Sequence, residues 1–371
     1  MIPYAWLDPC RDFAGAPPAA SEAPGSPPWQ PHLHTYRLGH RRLRGAQILP
    51  VGVVSGGGWV CDSVQYLPRN WPAATWMAEL AGHRLVASEG GIQLDVAESW
   101  PTRQLPGRWC VLNDLVAHRN LAHFFADLLP QLVAIRRLQA EWPDLQLLGM
   151  PERYANLRQL REAIVPCGWR ARPAAPLSRA PRLLPEELLL QPVAFNGGVG
   201  FLGHPSNHWW LAVDDLREGL ALLREALQPD AAGMWHGHWL CFSRDLAAPT
   251  EAPQGRVFSN YPELLERLSN AGVLVIDPGR HDIRALQVLV AQARGFVGIH
   301  GAGLMNALLA RPGAQLIEIR PAAGCWRMLE LLARTAGLAW QGVSCAPDPQ
   351  DPETSVIPIE AVLERIAGVS P

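Results

Sequence analysis

Two histidine patterns in this 371-residue sequence have the residue types and spacing for chemistry. His123 and Asp127 lie four apart in a segment of helical periodicity, so they share one face. A carboxylate beside an imidazole orients the ring and raises its basicity, which suits a general base for a hydroxyl group. The same pair could also serve packing alone. Asp114 and His118 form a second Asp/His pair nearby and are the alternative base. The other pattern is His300-Gly301-Ala302-Gly303, which ends an apolar run and leads into Leu304–Ala310. Two glycines let backbone approach a phosphate, and the helix start that follows offers unpaired N–H groups to an anion. His300 is then placed to meet a bound sugar or diphosphate, or it is a satisfied core histidine. A tight strand-to-helix turn that binds nothing would look the same. Asn306 stands where a dinucleotide fingerprint would carry its third glycine.

The cations narrow the choice. All 32 basic residues are arginine, and lysine is absent. That excludes pyridoxal-phosphate chemistry and a Walker-type phosphate loop, both of which need a lysine. Anion binding must rest on arginine, backbone amides and helix starts. Arg244 follows the strand Trp239–Phe242 and suits a diphosphate leaving group; Arg256 is either a second anchor or a solvated loop residue. Glu318 sits inside the apolar strand Leu316–Ile319, where an unpaired carboxylate is costly. Ribose hydroxyls or a buried arginine would satisfy it. No Asp-x-Asp occurs, so the usual carboxylate pair for a divalent cation on a diphosphate is missing.

These residues need a scaffold, and the pattern around them is strand–helix alternation. In the first half, Arg108–Leu112 reads as a strand, Asn120–Glu141 as a helix, Leu145–Leu148 as a strand, Leu157–Val165 as a helix and Leu188–Gln191 as a strand. In the second half, strands at Trp239–Phe242, Val273–Ile276, Gly295–Ile299 and Gln315–Ile319 alternate with helices at Tyr261–Ser269 and Asp282–Ala293. Asp282 is the expected N-cap. Both halves predict parallel α/β layers, the second a mononucleotide-binding unit with ligand at the carboxyl ends of its strands. Residues 1–45 read as an irregular leader, and 46–212 as a first α/β domain that is β-rich and irregular up to about residue 110. A linker helix and hinge follow at 213–235, and 236–371 is the second domain.

Hydrophobic residues make up 48% and charged residues 18%, ample for two cores, and a formal net charge of -2 gives no general attraction to nucleic acid. Seven scattered cysteines without a Cys-x-x-Cys point to reduced thiols and a cytoplasmic protein. No apolar run is long enough to span a bilayer, leaving at most a peripheral association with an inner membrane. Gly198-x-Gly200-x-x-Gly203 matches a dinucleotide fingerprint by letter, but Pro205 and its successors do not open a helix. Trp235-His-Gly-His-Trp239 lacks further metal ligands.

Taken together, Gly298-Ile-His-Gly-Ala-Gly-Leu-Met-Asn306, Arg311-Pro-Gly-Ala and Leu316-Ile-Glu318-Ile resemble the hallmark block of glycosyltransferase family 61. Asn120-Leu-Ala-His123-Phe-Phe-Ala-Asp127-Leu-Leu-Pro130 resembles the family's N-domain block. Ser243-Arg244 with Arg256 and Asn260, and Gln287 with Ala293, fit in order. The resemblance covers roughly residues 110–325. It implies a GT-B fold, two Rossmann-like domains facing across a cleft, and an inverting transfer with no obligatory metal or cofactor. The donor would be a UDP-linked nucleotide sugar, and the acceptor a saccharide of a surface polysaccharide. Within that reading the candidate donor-binding residues are Ser243, Arg244, Arg256, Asn260, Gly301, Ala302, Gly303, Asn306 and Glu318, and the candidate catalytic residues are His123, Asp127 and His300. Competing readings are a non-catalytic nucleotide-sugar-binding scaffold, separable by donor hydrolysis, and a nicotinamide oxidoreductase, separable by NADH binding.

Overall fold

Apolar runs of four or five residues between turn signals form strands buried on both faces, as parallel sheets require. The computed structural model describes residues 32–35, 37–38, 40–43, 45–49, 52–54, 84–88, 91–95, 101–112, 120–149, 151–171, 181–190, 195–197, 208–227, 237–243, 257–322 and 327–368. The chain divides into two compact units, Met1–Gly219 and Leu220–Pro371, and the fold is mixed α/β with parallel sheets.

The first unit begins with β1 (His32–Thr35), β2 (Arg41–Leu43), β3 (Gln47–Leu49), β4 (Gly52–Val54), β5 (Arg84–Ser88) and β6 (Gly91–Asp95). Its α/β part runs β7 (Thr102–Val111), helix α1, β8 (Gln146–Gly149), α2 (Ala155–Ile164), β9 (Trp169–Ala171) and β10 (Arg182–Leu190). Helix α1 is continuous through Leu121–His123, a π turn at Phe124–Leu128, and Leu129–Glu141. β11 (Phe195–Gly197) and β12 (His208–Leu211) lead to α3 (Val213–Ala226), within which the two units divide. The main sheet has the order β4-β3-β10-β7-β8-β9, with β10, β7, β8 and β9 parallel and β2 also on β10.

Two expectations change here. Residues 32–43, read as leader, carry strands: β1 pairs with β12 in parallel, and the Leu38 amide donates to the buried Asp215 carboxylate at 2.6 Å. Arg137 of α1 also bonds Asp215, so this segment, α1 and α3 converge on one carboxylate. Burial pushes the Asp215 pKa up, opposed by those two donors. Strands β7 and β10 are longer than their apolar cores. Their polar ends, including Arg108 against Glu187 at 2.6 Å, pair across the ladder, and Pro185 marks the register shift in β10. Residues 1–31 of the expected leader lie outside the described residues.

The second unit contains β13 (Trp239–Phe242), β14 (Val257–Phe258), α4 (Tyr261–Asn270), β15 (Leu274–Ile276), α5 (Ile283–Gln292), β16 (Gly295–Ile299) and β17 (Gln315–Arg320). It continues through α6 (Met328–Thr335), β18 (Ala339–Ser344), β19 (Ala346–Pro347), β20 (Thr354–Val356) and α7 (Ile359–Ala367). Its sheet is parallel throughout, in the order β15-β13-β16-β17-β18. Counted along the sheet-forming strands this is 2-1-3-4-5, which reverses direction between β13 and β16. Open sheets of this order bind ligands at the carboxyl ends beside that reversal. Trp239, Cys241, Val297, Ile299, Ile317, Ile319 and Val343 point to one face and pack with Leu264, Leu268, Val362 and Ile366 of α4 and α7.

Candidate active site

His300 leaves β16 at the reversal. Its amide still bonds the Ile319 carbonyl at 2.8 Å, so the ring is anchored by the sheet up to its own residue. Gly301 then has φ 156° and ψ 177°, a region that glycine alone occupies readily. The segment that follows is a 3-10 helix over Ala302–Leu309, not the α-helix expected from Leu304. Asn306 explains part of this: its side-chain amide donates to the Gly303 carbonyl at 2.8 Å, taking an acceptor that an α-helix would use. The first amide used inside the turn is that of Leu304, bonded to Gly301. The Ala302 and Gly303 amides precede it, as the orphan donors of a helix start.

Glu318 explains the ring's orientation. It lies on β17 opposite Gly298 of β16 and Gly342 of β18, and is 1% exposed. His300 Nδ1 pairs with Glu318 Oε1, and the Trp340 indole Nε1–H donates to Glu318 Oε2 at 2.9 Å. An isolated buried carboxylate would be costly; here both oxygens have protein donors. In the structure the carboxylate is met by His300 and Trp340. The carboxylate fixes the proton at Nδ1, so chemistry at this imidazole passes through Nε2.

Other expected donor ligands are engaged within the protein. Ser243 Oγ and its amide both donate to the Ile276 carbonyl, at 3.0 and 2.8 Å, tying the ends of β13 and β15. Both ends of the Asn260 amide bond the Ile357 backbone, at 2.8 and 2.9 Å, bracing α4 against the segment entering α7. Arg244, Arg256, Asp114, His118 and the Gly198–Gly203 loop lie outside the described residues. Burial pushes the Cys241 and Cys345 thiols up to about 12, so neither is a thiolate nucleophile near neutrality.

In the first unit, Asn120 caps α1, accepting from the Ala122 amide at 2.9 Å. His123 and Asp127 come together as the spacing predicts, with Nδ1 and Oδ2 2.7 Å apart. The Leu129 amide reaches back five residues to Phe124. Pro130, without an N–H and with a ring that crowds the preceding turn, favours this local widening. Asp127 is buried among Phe124, Phe125 and Leu128, whereas 26% of the His123 side chain is exposed. Asp127 Oδ1 is also buried and has no hydrogen-bond partner among the described residues. Its other oxygen, Oδ2, holds the one imidazole in place.

Trp340 and the role of Glu318 toward His300 were not read from the sequence. The signal for Glu318 was its place in an apolar strand; its partner depends on register.

Comparison with known proteins places this arrangement. The family model described as Glycosyltransferase 61 matches residues 121–317, more than half of the chain. The chain belongs to glycosyltransferase family 61 and is a glycosyltransferase. The match contains His123, Asp127 and His300–Gly303, and ends one residue before Glu318. Among solved structures, the chain is similar to the bacterial iron-containing dodecameric glycosyltransferase TibC from enterotoxigenic E. coli. That match has TM-score 0.30 and 11% identity, covering 65% of this chain and 68% of that one. No curated protein matches the chain. Among the described residues no helix is long and apolar enough to cross a membrane, and no group of three His, Cys, Asp or Glu could hold a metal ion.

Proposed function

We propose that the protein is an inverting glycosyltransferase of the GT-B class that moves a sugar from a UDP-linked donor to a saccharide acceptor. The observation that carries this reading is the His300–Glu318 pair at the sheet reversal, followed at once by the Gly301 turn. The second domain, about residues 236–371, binds the donor; the first, about 46–212, supplies the base; 213–235 links them. In this reading the Ala302 and Gly303 amides hold a phosphate oxygen. His300, oriented by Glu318, meets the departing diphosphate through Nε2. Arg244 and Arg256 add positive charge to the same leaving group.

His123, held by Asp127, removes the proton of the acceptor hydroxyl. The acceptor oxygen bonds to the anomeric carbon as the bond to the diphosphate breaks, and the configuration inverts. No step calls for a metal or a cofactor. The acceptor is a growing surface polysaccharide and the work is cytoplasmic. A panel of UDP-sugars, assayed for transfer and for hydrolysis without acceptor, tests the reading. Turnover of at least one UDP-sugar, with nucleoside diphosphate released, supports it; no turnover of any donor contradicts it.

A further inference from the structure

We infer that Trp340 is a positioning residue for the His300–Glu318 pair, and that Gly342 is glycine to make room for it. This rests on the donor-site reading above for its effect on transfer, but its geometry stands independently.

Trp340 and Gly342 are two apart on β18, so their side-chain positions share a face. Register puts Gly342 directly opposite Glu318, and Trp340 opposite Leu316. The indole would ordinarily be kept off Glu318 by a side chain at position 342. A Cβ built on Gly342 would lie 2.9 Å from the far edge of the Trp340 ring and 3.2 Å from Arg320 Cδ. With glycine there, the ring lies over that position and its Nε1–H reaches Glu318 Oε2 at 2.9 Å. The ring is itself held: the Arg334 guanidinium is 5.4 Å and that of Arg320 6.0 Å from its centroid. Glu330 in turn bonds Arg334 at 3.1 Å. A carboxylate with one oxygen on an imidazole can still rotate about its terminal bond. A second, directional donor on the other oxygen fixes the plane, and with it the line along which Oε1 meets Nδ1. Trp340 therefore acts on the donor site through Glu318 without touching substrate.

The test uses the full chain with 15N-labelled histidine. Trp340→Phe keeps an aromatic ring and removes the N–H. For the neutral His300 ring, assigned by its loss in His300→Ala, the unaltered protein shows a single tautomer with the proton on Nδ1. Trp340→Phe yields a tautomer mixture. In transfer assays it lowers kcat about tenfold while the donor KM changes less than twofold. In a Glu318→Gln background the same substitution adds no further loss, because the residue it acts through is already disabled. Gly342→Ala displaces the indole with its N–H intact and gives the same tautomer mixture, which keeps the test informative if Trp340→Phe does not fold. A single Nδ1-protonated tautomer in both variants, or a Trp340→Phe loss that persists undiminished beside Glu318→Gln, overturns the inference. If the unaltered protein transfers no sugar, the proposed function fails, and the tautomer readout alone decides the role of Trp340.

Discussion

The two units each present a histidine on a buried carboxylate, yet they build the pair in opposite ways. In the first unit the pair is local: four residues apart on one helix, with His123 partly open to solvent and one Asp127 oxygen without a partner among the described residues. In the second it is assembled across three strands, with His300 buried and both Glu318 oxygens bonded. The difference teaches what each is suited to. In the proposed reading the partly exposed imidazole is the one that takes the acceptor proton. A buried, doubly braced one is a fixed dipole or charge, suited to a leaving group that must be met without rearrangement.

The comparison can be broken most severely by removing each imidazole. His123→Ala should lower kcat about 10³-fold, the scale of a lost general base, while UDP binding by calorimetry stays unchanged. His300→Ala should lower kcat about 10²-fold and weaken UDP binding as well. Equal effects on UDP binding in the two variants would erase the division of labour. A smaller effect is expected at the turn. Gly301→Ala forces a side chain into a glycine region, costing about 1–3 kcal/mol in thermal or denaturant unfolding, with weaker UDP binding.

The smallest effect serves as a control away from both pairs. Glu187 bonds Arg108 and Arg42, and hydrogen bonding from Arg108 first, then Arg42, holds its pKa below the usual value. A depressed folded pKa adds stability above the unfolded value near 4.5, and that stability is lost as pH falls through the folded one. Glu187→Gln should therefore unfold slightly more easily at pH 7, converge with the parent in acid, and leave kcat unaltered at neutral pH.

The same contrast explains what the sequence made legible. β13 and β16 occur at their expected bounds because short apolar runs between turn signals specify buried strands. Asp282 caps α5 as expected, accepting from the Arg284 and Ala285 amides. His123 and Asp127 were readable as a pair because helical spacing alone brings them together. His300, Glu318 and Trp340 were not readable as a set, since their meeting depends on register across β16, β17 and β18. β18 itself was missed: it is an edge strand in which Gln341 and Gly342 interrupt the apolar pattern. The 3-10 turn was hidden for a related reason. The Asn306 side chain, folded back on Gly303, is one of the features that set it apart from an ordinary helix start.

In the proposed reading the second unit holds a nucleoside diphosphate at the His300–Gly303 turn. Isothermal titration of UDP into the full chain and into His300→Ala tests it most directly. The expected result is saturable binding to the unaltered protein and affinity at least about tenfold weaker in the variant. No binding of UDP or any other nucleoside diphosphate, or equal binding by both proteins, would contradict it.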